Sequence, residues 1–341
     1  MSTRDNSTPC ISIIIAVYNV EKYIAQCCHS LFAQTLENLE YIFIDDCSPD
    51  NSIIVVRTVL EKYPQRIHQV KIIEHQTNLG VSKAREHGVK AATGEYIIHC
   101  DPDDWIELDM YEQLYNKAIS EHLDFVTCDL WRHYYNDPKP YFENQKPKEL
   151  TSRSTLASCL HYRLPFLGCF LWNKLIKSSL YYRVDWPEKI SFGEDMAACV
   201  QILKNPSLKI GYVAKPLYHY RLNEKSLSQR VNTKQDIEND YKLISILYSH
   251  LGESCDEEIY HMWQSCTCGL MANTLESPKR FFSNNEYAKK YRKYRNCVWK
   301  NKAYPTRKKI LLYYATYNYL IAFTLYKAGK RLITFTRKIK A

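Results

Sequence analysis

The chain has 341 residues, enough for one large domain with an extension or for two domains. Charged residues make up 24% and apolar residues 45%, the balance of a soluble globular protein, and no linker or repeat period breaks it into beads on a string. The net charge of +9 is uneven: residues 279–341 hold 18 Lys/Arg against one acid, Glu286, so this segment carries +17 and the remainder −8. Such a tail reads as a surface for anionic lipid or nucleic acid, or as a solvated face.

The polar stretch Met1 to Pro9 has no basic-then-apolar pattern, so secretion is not expected. Thirteen cysteines without framework spacing suit a reduced cytosolic compartment. Cys266-x-Cys268 near His261 lacks a second ligand pair at zinc spacing.

From the first apolar run onward, strand and helix patterns alternate. Strands are expected at Ile11 to Val17, Leu39 to Ile44, Val70 to Glu74, Glu95 to Cys100 and Asp124 to Cys128. Helices are expected at Glu21 to Gln34, Asn51 to Tyr63, Val81 to Ala92 and Leu108 to Ser120. This rhythm predicts an α/β fold with a mostly parallel, Rossmann-like sheet and right-handed crossovers. No G-x-G-x-x-G follows any strand, which removes the main support for a dinucleotide-binding dehydrogenase.

Asn136 to Lys148, rich in Pro, Lys and Asn, reads as a loop or lid. A helix at Glu194 to Lys204 and strands at Ile210 to Val213 and Leu217 to Tyr220 follow. Beyond Asn223 the pattern is helical, with Ile237, Tyr241, Ile244, Tyr248 and Leu251 on one stripe and Thr233 as its N-cap. The expected division is an α/β domain over 1–225, in two halves of about 1–130 and about 131–225, and a basic helical extension over 226–341.

Two acidic clusters follow expected strands: Asp45-Asp46-Cys47-Ser48-Pro49-Asp50 and Asp101-Pro102-Asp103-Asp104. Carboxylates there lie at the carboxyl edge of the sheet, where open α/β sheets bind ligands. A hard divalent metal holding a substrate diphosphate would relieve their repulsion. Helix capping accounts for Ser48 and Asp50 but does not require three carboxylates within 101–104.

With these clusters in place, the chain resembles family-2 inverting glycosyltransferases of the GT-A fold, of the bacterial surface-polysaccharide type. The stretches that carry the resemblance run in the family's order: Ile13 to Ile24, Gln34-Thr35, Asp45 to Asp50, Asn78 to Arg85, Gly94 to Ile97, Asp101 to Asp104 and Gly193-Glu194-Asp195. The resemblance implies a UDP-sugar donor whose base meets Val17, Tyr18 and Asp46. It implies Asp103 as ligand to Mn²⁺ or Mg²⁺, Asp101 assisting at metal or ribose, and Asp195 as the base that deprotonates an acceptor hydroxyl. The sugar would be a hexose or N-acetylhexosamine. Arg85 is kept as a donor contact, although Glu86 stands where the family usually has Asn. Trp172, Lys174, Glu194 and Arg221 are candidate phosphate or acceptor contacts, and His219 a candidate metal ligand.

The competing readings are a nucleotidyltransferase, for which Ala16-Val17-Tyr18-Asn19 lacks the Gly-rich phosphate loop, and a non-enzymatic membrane- or nucleic-acid-binding protein. The favoured reading expects no nucleic-acid partner. Ile310 to Tyr326 carries no formal charge and has basic flanks; its tyrosines favour a helix lying on a membrane surface over one that spans it. A cytoplasmic enzyme at the inner face of the cell membrane, acting on a saccharide or lipid-linked saccharide, would have use for such a tail.

Overall fold

A computed structural model of the chain describes residues 8–160, 169–188, 190, 193–222, 234–251, 283–300 and 306–328, with scattered helical positions from 259 to 272. The chain divides into two compact units, Met1–Cys159 with Leu167–Ser228, and Leu160–Phe166 with Gln229–Ala341.

The first unit opens with β1 (Ile11–Val17), α1 (Glu21–Phe32), β2 (Leu39–Asp45), α2 (Ser52–Leu60), β3 (Val70–Glu74), α3 (Val81–Ala91) and β4 (Tyr96–His99). β1 is paired in parallel with β2 and β4, and β2 with β3. The β-branched runs make these strands for a plain reason: β1, β2 and β4 are buried along almost their whole length. Ile11, Ile13, Ile15 and Val17 pack in one cluster with Ile24, Cys27 and Leu31 of α1, each such side chain contributing about 1.5–3 kcal/mol.

The second half adds β5 (Trp105–Ile106), α4 (Met110–Ser120), β6 (Phe125–Tyr134), β7 (Tyr141–Glu143), α5 (Ser152–Cys159), β8 (Lys174–Lys177), α6 (Ser178–Tyr181), α7 (Glu194–Leu203) and β9 (Ile210–Leu222). The sheet order is β3-β2-β1-β4-β8-β6-β9-β5, with β7 on β6. The first half is wholly parallel. β8 joins antiparallel to β4 and β6, while β6 and β9 run parallel.

Three expectations change here. The segment 136–148 contains a short strand, β7, paired with β6. The two strands expected over 210–220 are one, β9. Its register against β6 shifts between Cys128, opposite Val213, and Asp129, opposite Pro216, so Ala214 and Lys215 bulge where Pro216 has no N–H to give. The helix expected from Asn51 to Tyr63 ends at Leu60, and a 3₁₀ turn occupies Pro64–Gln69.

The second unit is helical where described. α8 (Lys234–Leu251) covers the expected stripe, and its expected N-cap, Thr233, lies outside the described residues, as do His261 and Cys266. Asn284–Tyr291 starts with a capping box formed by Ser283 and Glu286. The tail expected as one helix over 310–326 is two: Thr306–Ala315 ends, and a second begins at 319, where Asn318 Oδ1 accepts from the Ile321 N–H. Tyr319 is buried and stacks on Tyr287 at 4.6 Å, so this stretch is partly core. Among the described residues, no helix is long and apolar enough to cross a membrane.

Candidate active site

The site is built at the carboxyl ends of β1, β2 and β4. β1 ends at Val17, directly opposite Asp45 of β2. Tyr18 follows with 48% of its surface exposed. The turn after β2 is locked by side chains: Ser48 Oγ accepts from the Asn19 N–H at 2.8 Å, and Asp50 Oδ2 accepts from the Glu21 N–H at 2.9 Å. Asp50 Oδ1 also accepts from the Ser52 N–H, so this carboxylate caps α1 and α2 together. The capping read for Asp50 is met in that it takes the first N–H of each helix, whereas Ser48 ties the turn at Asn19 and caps neither.

Asp46 is buried, and its carboxylate fastens the segment that leads into α3. Oδ1 accepts from the Leu79 N–H and meets His75 Nδ1, both at 2.8 Å, and Oδ2 accepts from the Gly80 N–H at 2.8 Å. Gly80 is at φ +88°, a left-handed backbone that only glycine enters cheaply, and this conformation turns its N–H toward Asp46. Three donors therefore already occupy the residue expected to accept from uracil.

Arg85, on α3, is 4% exposed and gathers three carboxylates from distant parts of the chain. One guanidinium nitrogen donates to Asp101 Oδ1 at 2.8 Å; the other donates to Glu194 Oε1 at 2.6 Å and to Asp195 Oδ1. Burial alone would disfavour its charge, but Glu194 and Asp101 outweigh that and raise its pKa. Asp101 is pulled both ways, upward by burial and downward by Arg85, with a net rise. Asp195 Oδ2 accepts from the Leu171 N–H at 3.3 Å. Gly193, at φ +94°, makes the turn that starts α7 with Glu194 and Asp195 directed at Arg85.

The third acid of the second cluster has a different task. Asp104 is fully buried; its Oδ2 accepts the Tyr218 hydroxyl at 2.7 Å, and its Oδ1 accepts the Arg221 N–H at 2.7 Å. Tyr218 Oη in turn accepts from the Asp101 N–H at 3.2 Å, and Arg221 Nε donates to the Asp103 carbonyl at 2.8 Å. The acidic loop is thus laced to β9 at both ends. Burial, with Asp103 and Asp101 nearby, pushes the Asp104 carboxyl well above the usual range. Arg221 also lies over the rings of Trp105, at 4.7 Å, and Tyr23, at 5.2 Å.

With this geometry in hand, the comparisons decide the family. Residues 12–176 match glycosyl transferase family 2. The chain belongs to glycosyltransferase family 2. It is 29% identical over 280 residues to the uncharacterized glycosyltransferase EpsJ of Bacillus subtilis (strain 168), covering 79% of each chain. It is 34% identical over 242 residues to the putative glycosyltransferase EpsH of the same organism, covering 67% of this chain and 65% of EpsH. Among solved structures, residues 1–349 of S. aureus TarS in complex with UDP-GlcNAc align with a TM-score of 0.71 at 18% identity, over 94% of this chain and 91% of that one. That likeness is one of fold, and the fold is GT-A.

In this glycosyltransferase, Asp101, Arg85, Glu194 and Asp195 come together as one cluster, with Arg221 held to the same loop. Asp103 is partly exposed in that loop. Two hard carboxylates on a single loop suit a divalent ion that takes its other ligands from phosphate and water; among the described residues, no group of three or more metal-binding side chains is assembled.

Three expected roles are not met. Lys174 is 2% exposed and its ammonium donates to Asn173 Oδ1 at 2.7 Å, so it is a core lysine and not a phosphate contact. Trp172 is 1% exposed and stacks on Tyr218 at 4.0 Å, so it backs the site without lining it. His219 has both ring nitrogens engaged, with His133 Nε2 at 2.9 Å and Glu107 Oε1 at 2.8 Å, which leaves neither for a metal in this arrangement. Tyr218 was not expected at the site, and Asp104 was expected only as one of the clustered acids, not as the partner of β9. The alternation Tyr218, Tyr220 against His219, Arg221 on β9 was the available signal for Tyr218.

Proposed function

We propose that this glycosyltransferase moves a hexosyl or N-acetylhexosaminyl group from a UDP-sugar to an acceptor hydroxyl, inverting the anomeric carbon, in the synthesis of a surface polysaccharide. One observation carries the reading: a single buried guanidinium, Arg85, holds both the first acid of the D-x-D stretch and the candidate base. A donor-side group and an acceptor-side group are thus fixed relative to one another, as a one-step displacement needs.

The nucleoside lies against the exposed ring of Tyr18, with Val17, expected as a contact, buried behind it. Asp46, whose carboxylate is already taken by His75, Leu79 and Gly80, shapes that pocket through the 75–80 segment it fastens. Asp103, with Asp101 beside it, would hold Mn²⁺ or Mg²⁺, which when bound neutralises charge on the diphosphate leaving group. Arg221, fixed by Asp104, supplies a further positive charge at the same loop. Asp195 takes the acceptor proton as the hydroxyl attacks; Arg85 and the Leu171 N–H orient it. Catalysis is assigned to the first unit.

The relatives' names support a glycosyl transfer, and the UDP-GlcNAc held by TarS supports a uridine donor. The test is metal-dependent hydrolysis of a panel of nucleotide sugars by the full chain. UDP-sugars should be consumed and GDP- and CMP-sugars spared; consumption of none of them in the presence of Mn²⁺ would sink the proposal.

The basic tail supports a place at the inner face of the membrane. Polybasic attraction is worth about 1 kcal/mol per Lys or Arg near an anionic leaflet and is screened by salt. Binding to anionic vesicles should therefore fall as salt rises; binding that persists at high salt would contradict an electrostatic, peripheral attachment.

A further inference from the structure

One face of the β9-β6-β7 strip carries a run of aromatic rings that begins beside the candidate base and ends in solvent. Strand register puts Arg132 opposite Tyr220 on one side and Tyr141 on the other, so their side chains share a face with Tyr134, two residues on from Arg132. Contacts confirm it: the Arg132 guanidinium lies 5.2 Å over the Tyr220 ring, and Tyr134 meets Tyr141 edge-on at 5.4 Å. At the inner end Phe170 stacks on Trp172 at 4.6 Å and approaches Tyr220 at 5.8 Å. The next residue, Leu171, donates its N–H to Asp195. Exposure rises along the run, from 1% at Trp172 to 37% at Tyr134 and 51% at Tyr141.

We propose that this face, from Phe170 past Arg132 out to the Tyr134–Tyr141 pair, is the platform on which the acceptor saccharide lies, with Tyr220, its ring covered by Arg132 and Trp172, as the support beneath. The C–H face of a pyranose packs well on the electron-rich face of an aromatic ring. The acceptor hydroxyl must reach Asp195, and this run starts there. From β9 to β7 is two strand spacings, about 10 Å, so the platform is longer than one sugar ring and selects a chain over a monosaccharide. Polar groups lie between the rings as a saccharide requires: Arg132 is paired with Glu143 at 2.7 Å, and the Tyr141 hydroxyl is held by Asp137.

The inference rests on the glycosyl-transfer reading, and the experiment reads the two separately. The full chain and two variants, Tyr134→Ala/Tyr141→Ala and Tyr134→Phe/Tyr141→Phe, are titrated with UDP plus Mn²⁺ and then probed on a printed array of bacterial surface glycans. The wild type should bind at least one oligosaccharide. The alanine pair should weaken that binding about tenfold, as two lost ring contacts predict, while the phenylalanine pair stays within about twofold. All three should bind UDP equally. Unchanged glycan affinity in the alanine pair would overturn the platform, as would UDP binding by a wild type that binds no glycan. Binding of the same three proteins to anionic vesicles is measured alongside, and its loss in the alanine pair with glycan binding intact would make the hairpin a membrane contact and overturn the platform. A wild type that fails to bind UDP removes the parent reading and the platform with it.

Discussion

Arg85 and Asp195 lie 110 residues apart in sequence and form one buried ion pair, with Asp101 held by the other nitrogen of the same guanidinium. In the proposed reaction this arrangement fixes the acceptor side relative to the donor side. Removing one partner of a buried pair leaves the others uncompensated and costs about 3–5 kcal/mol. Arg85→Gln should therefore lower thermal stability and abolish transfer together. Arg85→Lys keeps the charge but not the fork; it should recover most of the stability and little of the turnover. Full turnover in Arg85→Lys would show that geometry at this point does not matter.

A second prediction concerns Tyr218, whose hydroxyl bridges the Asp101 N–H and Asp104 Oδ2. Tyr218→Phe keeps the stack on Trp172 and removes only the bridge, at a cost of about 1–3 kcal/mol. The loop that carries Asp103 should loosen, weakening metal-dependent UDP binding while metal-free UDP binding is unchanged. Calorimetry with and without Mn²⁺ separates the two, and an equal loss in both conditions would mark Tyr218 as merely structural.

How much of this could be read from the chain depended on range. The strands β1, β2 and β4 were legible because each is a continuous β-branched run buried on both faces, a local signal. The positions of the D-x-D acids and Asp195 were legible because short motifs mark them, and what they do is a proposal. The pairing of Asp104 with Tyr218 was not legible, since it joins residues 114 apart and no local pattern encodes it. Lys174 misled for the opposite reason: a lysine beside a motif looks like a phosphate ligand until the sheet closes over it. β7 is three residues long and half-exposed, too short for periodicity to show in a polar segment.

Acid sensitivity should come from Glu40, which is far from the acidic loop. Its carboxylate accepts from Ser12 Oγ, Lys71 Nζ and the Thr93 N–H, and so joins β1, β2, β3 and the approach to β4. Burial raises its pKa, but these donors outweigh burial and lower it below the usual value. A depressed carboxylate stabilises the fold fully above its unfolded pKa of about 4.3, and that stability is lost as the pH falls through the folded value. Glu40→Gln should therefore cost about 1–3 kcal/mol at pH 7 and flatten the decline of melting temperature below about pH 4.5. A variant whose acid limb matches the wild type would assign that limb to other carboxylates.

In the proposed reaction the loop Asp101 to Asp104 would hold the metal and, with it, the diphosphate of the nucleotide sugar. The most direct test is the affinity of the full chain for UDP with and without Mn²⁺, compared between wild type and Asp103→Asn. Tight, Mn²⁺-dependent binding is expected in the wild type, and in the variant only the weak, metal-independent binding of the nucleoside pocket, with the melting temperature nearly unchanged in the absence of ligand. Wild-type Mn²⁺ dependence in Asp103→Asn would contradict the account.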